Sequence, residues 1–504
     1  MSGEGFFTLN YAELSALVLY FAVVIGVGIY FFVKGSKSGG DKEYFLGGRN
    51  MGGWVAALSA GASDMSAWVL MGLPGSIYLY GIGQVWISVG LVIGTICAWI
   101  FVAPRLRRYS IRAKDSITIP QFLTNRFLSA NKALQIISAI VFVVVYCVYS
   151  ASSISACGTL FNTVLGVNPE YAMIVATVVI VVYTFLGGFN AVCWTDFFQG
   201  MLMLAALMLA PIIAVAAMQA PDFVAPAAAL PEHYMNLLSS GKLDWKSMSD
   251  IISGLGWGLG YFGMPHILVR YISIRSEHEM KKSQWIGCFW TTVIVAMASV
   301  VAIVGRNYLG DALTQNNSQN LIFVTLVRQL FPSFLAGVLL SAILAAAMST
   351  ADSQLLASSS AFASDVYKPV FRKNASDKEM LWAGRIIVIV ISLAAFFIAN
   401  DPNCKGIMAL VECAWAGFGA AFGPVILLAL YWKRLTYSGA VAGISVGFVV
   451  DALWYAFLSG KTNIYEIVPG FICGLIAAVV VSLLSKAPSA EVQKLFDEFN
   501  QPTD

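Results

Sequence analysis

Charged residues are scarce in this chain of 504 residues. Only 11% of them are Asp, Glu, Lys or Arg, and 59% are hydrophobic, whereas soluble domains average about 25% charged residues. This composition excludes a soluble globular protein. The apolar runs reach the ~20 residues that cross a bilayer as a helix, and they exceed the ~10-residue alternating strands of a membrane barrel. We therefore predict an all-α polytopic membrane protein.

Metal-ligand, catalytic and nucleotide motifs are missing as well. The chain has three histidines and eight scattered cysteines without a CxxC pair, which excludes a zinc site by spacing and favours buried cysteines. The sequence Gly460-Lys461-Thr462 resembles part of a P-loop but lacks its first glycine. We expect no enzyme activity, no organic cofactor and no direct use of ATP. The expected surroundings are the lipid bilayer, without nucleic acid or an obligate protein partner.

Thirteen apolar segments are predicted to span the membrane. The first is predicted as a span rather than a cleavable signal, because its apolar run is long and no small-residue cleavage pattern follows it. If the N-terminus lies outside and the C-terminus in the cytoplasm, most of the 30 Lys and Arg residues, Arg270 included, lie on the inner side. The positive-inside rule favours this orientation. This predicts a multi-pass protein of the cell (inner or plasma) membrane. The segments are 11–33, 53–76, 83–104, 133–160, 171–188, 195–218, 248–271, 283–305, 333–362, 380–400, 406–431, 437–458 and 464–485.

The segments predict one transporter domain, residues 1–504, built from two blocks of five helices. An extra helix, 11–33, precedes the first block, 53–218. The second block, 248–431, has the opposite orientation, so the two form an inverted repeat. Two more helices within 437–485 and a short cytoplasmic tail, 487–504, complete the chain.

Two segments contain residues that interrupt a helix. The second includes SAGASDMSAW (59–68), with Gly61 and Asp64, and the seventh has five glycines and Pro265 within twelve residues. Glycine destabilises a helix and proline removes a hydrogen bond from it. Interrupted helices in corresponding places of two repeats indicate a transport site at mid-membrane. We expect Gly61 to let the helix open, its freed carbonyls to bind a cation, and Asp64 to supply negative charge. The alternatives are a close-packing role for the glycines and a neutral or capping Asp64.

The ninth segment carries polar residues that share one helix face. Ala346, Ser349 and Thr350 are spaced i, i+3, i+4. Hydroxyls and carbonyls make a hard, neutral oxygen site, which suits an alkali cation better than zinc or copper. The alternative is that these hydroxyls only bond neighbouring helices.

Several long motifs make the chain similar to a known family. From about residue 14 to the tail, it resembles the sodium/solute symporter family, and in particular its proline-transporting members. The motifs are YFLGGR (44–49), ALSAGASDMSAWVLMGLPG (57–75), WTDFFQ (194–199), GWGLGYFGMPHIL (256–268), LLSAILAAAMST (339–350), AWAGFGAAFGP (414–424) and YEIVPGFICG (465–474).

The resemblance implies a LeuT-like fold with one extra helix before the repeats and two after them. It also implies a set of site residues. Asp64 matches an acid tied to sodium-dependent binding, and Arg49 a basic residue before that helix. The implied sodium ligands are the carbonyls of Ala62 and Met65 together with Ala346, Ser349 and Thr350. The implied proline-binding positions are Tyr149, Trp257, Tyr261 and Pro265, with Ser66 and Trp68 as neighbours.

Some positions depart from the family pattern. Met264 stands where proline-transporting members carry glutamine, and Asp352 stands where hydroxyl or small residues are usual. Some members build a further cation site with an acid matching Asp196, so Asp352 and Ser353 could change or add such a site.

Two other acids lie within predicted spans. Glu412 is a candidate functional group because it is intramembrane, whereas Asp451 is expected at a solvated helix end.

The function expected from the whole sequence is sodium-driven uptake of L-proline by alternating access. The alternatives are symport of another small organic solute or amino acid, and a proton-coupled carrier in which Asp64 or Glu412 holds the proton. A channel or a receptor fits less well, because a channel cannot accumulate solute and no signalling domain is evident.

Overall fold

The computed structural model describes residues 10–35, 45–186, 188–226, 230–315, 318–401, 403–404 and 406–499, and within them the protein is helical. Lys37 and Lys42 of the predicted inner loop, Tyr44 of the first motif, and the last five residues of the predicted tail lie outside the described residues. The first half contains α1 (Tyr11–Gly35), α2 (Gly53–Met65), α3 (Gly72–Tyr80), α4 (Val85–Cys97), α5 (Ala103–Arg112), α6 (Ile119–Arg126), α7 (Ala133–Leu165), α8 (Pro169–Leu186) and α9 (Phe189–Met218). The second half contains α10 (Trp245–Gly256), α11 (Pro265–Ser273), α12 (Glu277–Leu309), α13 (Ile322–Leu330), α14 (Ser333–Ala361), α15 (Asp377–Ala399), α16 (Ile407–Tyr431), α17 (Tyr437–Phe457), α18 (Ile467–Leu484) and α19 (Ala490–Glu498).

Each predicted span coincides with a helical segment. In the described part of the chain, ten helices are long and apolar enough to cross a membrane, which makes this a multi-pass membrane protein. The three other predicted spans are the 18-residue helix α8 and the two interrupted segments, α2 with α3 and α10 with α11. Helices α6, α13 and α19 were not predicted, because they lie outside the apolar runs.

The second segment is interrupted, as predicted, but the break lies later than expected. Helix α2 runs through Gly61 to Met65, and Ser66 then takes a positive φ of 42° before a short 3-10 turn and α3. A Cβ atom on Gly61 would come within 2.5 Å of the Trp290 ring. The prediction that Gly61 opens the helix is therefore wrong, and its role is the close packing named as the alternative.

The seventh segment is interrupted as well. Helix α10 ends at Gly256, a 3-10 helix covers Trp257–Phe262, and Met264 is extended before Pro265 starts α11. Proline suits the first turn of a helix because the N–H it lacks has no partner there. The break therefore follows from the order of glycines and proline in the sequence.

Helix α14 lies at the centre of the bundle. It packs against α1, α2, α7 and α9, and most of its residues are buried. This places the polar stretch of α14 against the broken end of α2, away from lipid.

Asp451 on α17 is also buried, with 4% exposure. The prediction that Asp451 lies at a solvated helix end is therefore wrong. Helix α17 packs against α16 and α18, and this packing encloses the Asp451 side chain.

Candidate transport site

The broken end of α2 meets the polar face of α14. Ser349 Oγ lies 3.0 Å from the carbonyl oxygen of Ala62 and 3.1 Å from that of Ala346. Thr350 is fully buried, and its Oγ1 has no hydrogen-bond partner among the described residues. Met65 is the last residue of α2, where carbonyls lose their intrahelical partners. The structure thus brings the five predicted sodium ligands to one junction between two helices.

Asp64 lies beside two of the predicted solute-binding tyrosines. Its Oδ2 accepts a hydrogen bond of 2.5 Å from the Tyr261 hydroxyl, and its backbone carbonyl accepts one of 3.3 Å from the Tyr149 hydroxyl. The other carboxylate oxygen, Oδ1, is buried without a hydrogen-bond partner in the described part of the protein. Asp64 therefore connects the broken α2 with both tyrosines.

Aromatic rings form a wall next to Asp64. The Trp257 ring lies 5.6 Å from that of Trp68, centroid to centroid. The backbone carbonyl of Trp257 accepts a hydrogen bond of 2.7 Å from Trp415 Nε1, and the Trp415 ring contacts Tyr261 at 5.2 Å. Trp415 was not predicted as a site residue, although it lies in the motif AWAGFGAAFGP (414–424). The glycines of the seventh segment explain the tight fit, because a Cβ on Gly260 would overlap the Trp415 indole.

The remaining predicted neighbours occupy different positions. Ser66 Oγ and Trp68 Nε1 are buried near the break and have no hydrogen-bond partner among the described residues. Pro265 is buried at the start of α11 and lines a separate cavity of about 20 Å³ together with Arg270 and Ser353. Pro265 therefore lies at the cavity beside Arg270.

Asp196, Asp352 and Ser353 lie in one buried cluster, and its centre is Arg270. The guanidinium donates to Asp196 Oδ2 at 3.2 Å, to Ser59 Oγ at 3.1 Å, and to Ser353 Oγ. Ser59 also donates to Asp196 at 2.7 Å, and Ser353 contacts Asp352 Oδ1 at 3.4 Å.

Arg270 was predicted to be one of the basic residues on the inner side of the membrane. It is instead 1% exposed inside the bundle. Arg270 lies in an otherwise apolar segment, and this could have indicated a buried ion pair, since charged residues within a membrane usually pair with an opposite charge.

Arg49 lies at the opposite end of α2 from the break. Its guanidinium binds Asp115 at 2.7 Å, Ser110 Oγ at 3.0 Å and the carbonyls of Ile272 at 2.8 Å and Ser116 at 2.7 Å. A 13-residue helix separates this network from Met65, which is about 20 Å. Arg49 is therefore too far from the junction to contact it directly.

Comparison with known proteins supplies the family. The model of the sodium:solute symporter family matches residues 44–447. The chain belongs to this family. It is 42% identical over 486 residues to the sodium/proline symporter of Escherichia coli (strain K12), covering 96% of this chain and 95% of the relative. It is 43% identical over 458 residues to the high-affinity proline transporter PutP of Bacillus subtilis (strain 168), covering 91% and 95%.

Solved structures identify the fold. A Na⁺-coupled sialic acid symporter in a substrate-bound outward-open state matches with a TM-score of 0.76 at 19% identity, over 95% of this chain and 99% of that one. Mhp1, a nucleobase-cation-symport-1 family transporter, matches with a TM-score of 0.57 at 12% identity, over 90% and 98%. The predicted all-helical, LeuT-like fold is confirmed.

Proposed function

We propose that this protein is a symporter that uses an inward sodium gradient to take up L-proline across the cytoplasmic membrane. The observation that carries the proposal is the junction of the broken α2 with α14, where Ser349 Oγ meets the Ala62 carbonyl at 3.0 Å. The names of the relatives, a sodium/proline symporter and a proline transporter, support proline as the solute.

Sodium would bind as cargo at this junction. The proposed ligands are the carbonyls of Ala62, Met65 and Ala346 and the hydroxyls of Ser349 and Thr350. All are hard oxygen donors, and the two hydroxyls can turn their protons away from a cation. Ser349 now donates to carbonyl oxygens, so ion binding would replace those hydrogen bonds. Asp64, which lies between Ala62 and Met65 in the chain, would supply the negative charge that favours a cation.

Proline would bind between Asp64 and the aromatic wall. Tyr149, Trp257 and Tyr261 offer apolar faces to the pyrrolidine ring, and its ammonium on such a face gains about 0.5–2 kcal/mol. Ser66 Oγ and Trp68 Nε1 have no partner among the described residues and can donate to the solute carboxylate. Pro265 would hold the break at the start of α11.

The proposed mechanism is alternating access by two inverted blocks of five helices, 53–218 and 248–431. Sodium binding stabilises the state that accepts proline, and each ligand raises the affinity of the other by the same factor. One inward charge gains about 2.3 kcal/mol per 100 mV. A tenfold sodium gradient adds about 1.4 kcal/mol. Together they could sustain several-hundredfold accumulation at one-to-one coupling. With the N-terminus outside, the basic loops face the cytoplasm.

The test is uptake of radiolabelled proline into proteoliposomes with an inward sodium gradient, compared with potassium replacing sodium. We expect saturable uphill uptake only with sodium. Sodium-stimulated uptake of another solute but not proline would retain the sodium site and direct attention to Met264, which is fully buried beside the break.

A proton-coupled carrier is the second candidate. It is favoured by the buried Asp64 Oδ1, which has no hydrogen-bond partner in the described residues and could hold a proton. The same vesicles with an inward pH gradient and no sodium separate the two functions. Proline uptake under that condition would support the proton-coupled carrier and contradict the sodium proposal.

Replacing Trp257 by alanine should weaken proline uptake more than sodium binding. The indole contributes an apolar wall and a ring face, so its loss is expected to raise the half-saturating proline concentration by at least about tenfold. The sodium concentration that half-saturates binding without proline should change less than about twofold. Equal loss of both affinities would contradict a direct solute contact.

Trp285→Ala is the matched control for this measurement. Trp285 on α12 is 83% exposed on the helix surface, so its removal should leave both affinities unchanged.

A further inference from the structure

A cavity of about 320 Å³ opens next to the aromatic wall, at the end of the protein where the loops are predicted to lie outside. Its lining includes Gln84, Asp250, Trp257, Glu412, Asn463 and Tyr465. Trp257 is the one proposed proline-binding residue among those that line it. The cavity therefore ends at the aromatic wall, and a solute that enters from this side meets Trp257 first.

Tyr465 covers Trp257 at the floor of this cavity. The two ring centroids are 5.2 Å apart with planes inclined by 34°, and Tyr465 is only 3% exposed. Tyr465 belongs to the segment between α17 and α18, outside both predicted five-helix blocks. The contact thus brings a residue from the C-terminal helices onto the proposed solute site.

Hydrogen bonds fix the Tyr465 ring in place. Its hydroxyl donates to the backbone carbonyl of Glu412 on α16 at 2.7 Å. Its backbone N–H donates to Ser253 Oγ on α10 at 3.0 Å, and Ser253 in turn donates to the Asn463 carbonyl at 3.2 Å. A ring tied to α10 and α16 keeps its distance from Trp257, which lies directly after α10.

We infer that Tyr465 is a lid residue that determines which ring sizes the solute site accepts. The inference rests on the proposed proline uptake. A solute passing from the cavity towards Asp64 must displace the Trp257 ring from the tied Tyr465 ring, and the pair closes behind it. The tied tyrosine ring then limits the space above Trp257, so a five-membered ring fits and a larger one is excluded. Tyr465 acts through Trp257 and is a specificity-determining residue.

The experiment compares wild type with Tyr465→Phe and Tyr465→Ala in proteoliposomes under the same sodium gradient. The readouts are the half-saturating proline concentration and the inhibition of proline uptake by azetidine-2-carboxylate and pipecolate, which have four- and six-membered rings. Tyr465→Phe loses the bond to Glu412 and should raise the half-saturating proline concentration about fivefold. Tyr465→Ala should raise it further and strengthen inhibition by pipecolate relative to proline at least about fivefold.

Tyr437→Phe is the matched control. The Tyr437 hydroxyl also donates to a backbone carbonyl, that of Asn131 at 2.9 Å, but Tyr437 begins α17 at the other end of that helix. It should keep the wild-type ring preference. An unchanged ring preference in a Tyr465→Ala variant that takes up proline would overturn the lid.

Two further arms keep the outcomes separate. If Tyr465→Ala does not fold, Tyr465→Phe and Tyr465→Trp decide, because the larger indole should exclude pipecolate more strongly than wild type. An unchanged ring preference in Tyr465→Trp, together with an unchanged half-saturating proline concentration in Tyr465→Phe, would equally overturn the lid. Absence of sodium-driven proline uptake in wild type would instead reject the proposed function on which the lid depends.

Discussion

Replacing Ser349 and Thr350 together by alanine should raise the half-saturating sodium concentration by at least about 100-fold. Loss of groups that merely orient metal ligands already costs about 10–100-fold in affinity, and this change removes two proposed direct ligands. Only carbonyl oxygens such as those of Ala62 and Ala346 would then remain. The variant should fold, because both side chains are small and Thr350 Oγ1 has no hydrogen-bond partner among the described residues. Sodium-dependent proline binding to the purified protein measures the effect.

Ser341→Ala is the control for this change. Ser341 is buried on the same helix, α14, and its hydroxyl donates to the Gly337 carbonyl of that helix at 2.9 Å. Sodium affinity should stay within about twofold of wild type there, because a bond within one helix adds little to the junction. A folded double variant with wild-type sodium dependence would contradict the proposed sodium site.

The fold could be predicted from the sequence because lipid offers no hydrogen bonds to an open backbone. A chain with long apolar runs and little charge must satisfy its backbone within helices, and every predicted span coincides with a helical segment. The two interrupted segments were also predicted, since glycine and proline act locally. The position of the first break was not, because a glycine such as Gly61 can serve packing as well as bending. Only the contact with Trp290 distinguishes the two roles.

The candidate site was predictable where its residues lie close together in sequence. Ala346, Ser349 and Thr350 share a face through helix geometry alone, and Asp64 stands out as an acid in an apolar run. Trp415, Tyr465 and Arg270 could not be found this way. Their roles come from contacts between residues far apart in the chain, and 13 tryptophans and 20 tyrosines give no indication of which ones face a site. Tertiary packing decides it.

Arg270→Met should destabilise the protein by about 3–5 kcal/mol, the range for removing one partner of a buried ion pair. The guanidinium is 1% exposed and donates to Asp196, Ser59 and Ser353. Methionine fills a similar volume without charge, so Asp196 would remain buried without its cation. Adding Asp196→Asn should recover most of the loss, because removing both charges leaves no uncompensated group. Unfolding of the purified protein in detergent measures both variants.

Arg275→Met is the matched control for Arg270→Met, because the Arg275 side chain is 54% exposed where it pairs with Glu279 and an exposed pair contributes at most about 1 kcal/mol. A double variant as unstable as Arg270→Met would contradict the energetic pairing of Arg270 with Asp196.

The effect of sodium and potassium on the stability of Arg270→Met is a further test. Ser59, Asp196 and Ser353 now offer their oxygens to the guanidinium, so a second sodium at Asp196 would have to compete with it. If sodium but not potassium restores the stability of Arg270→Met, the ion can replace the charge of the missing side chain at Asp196.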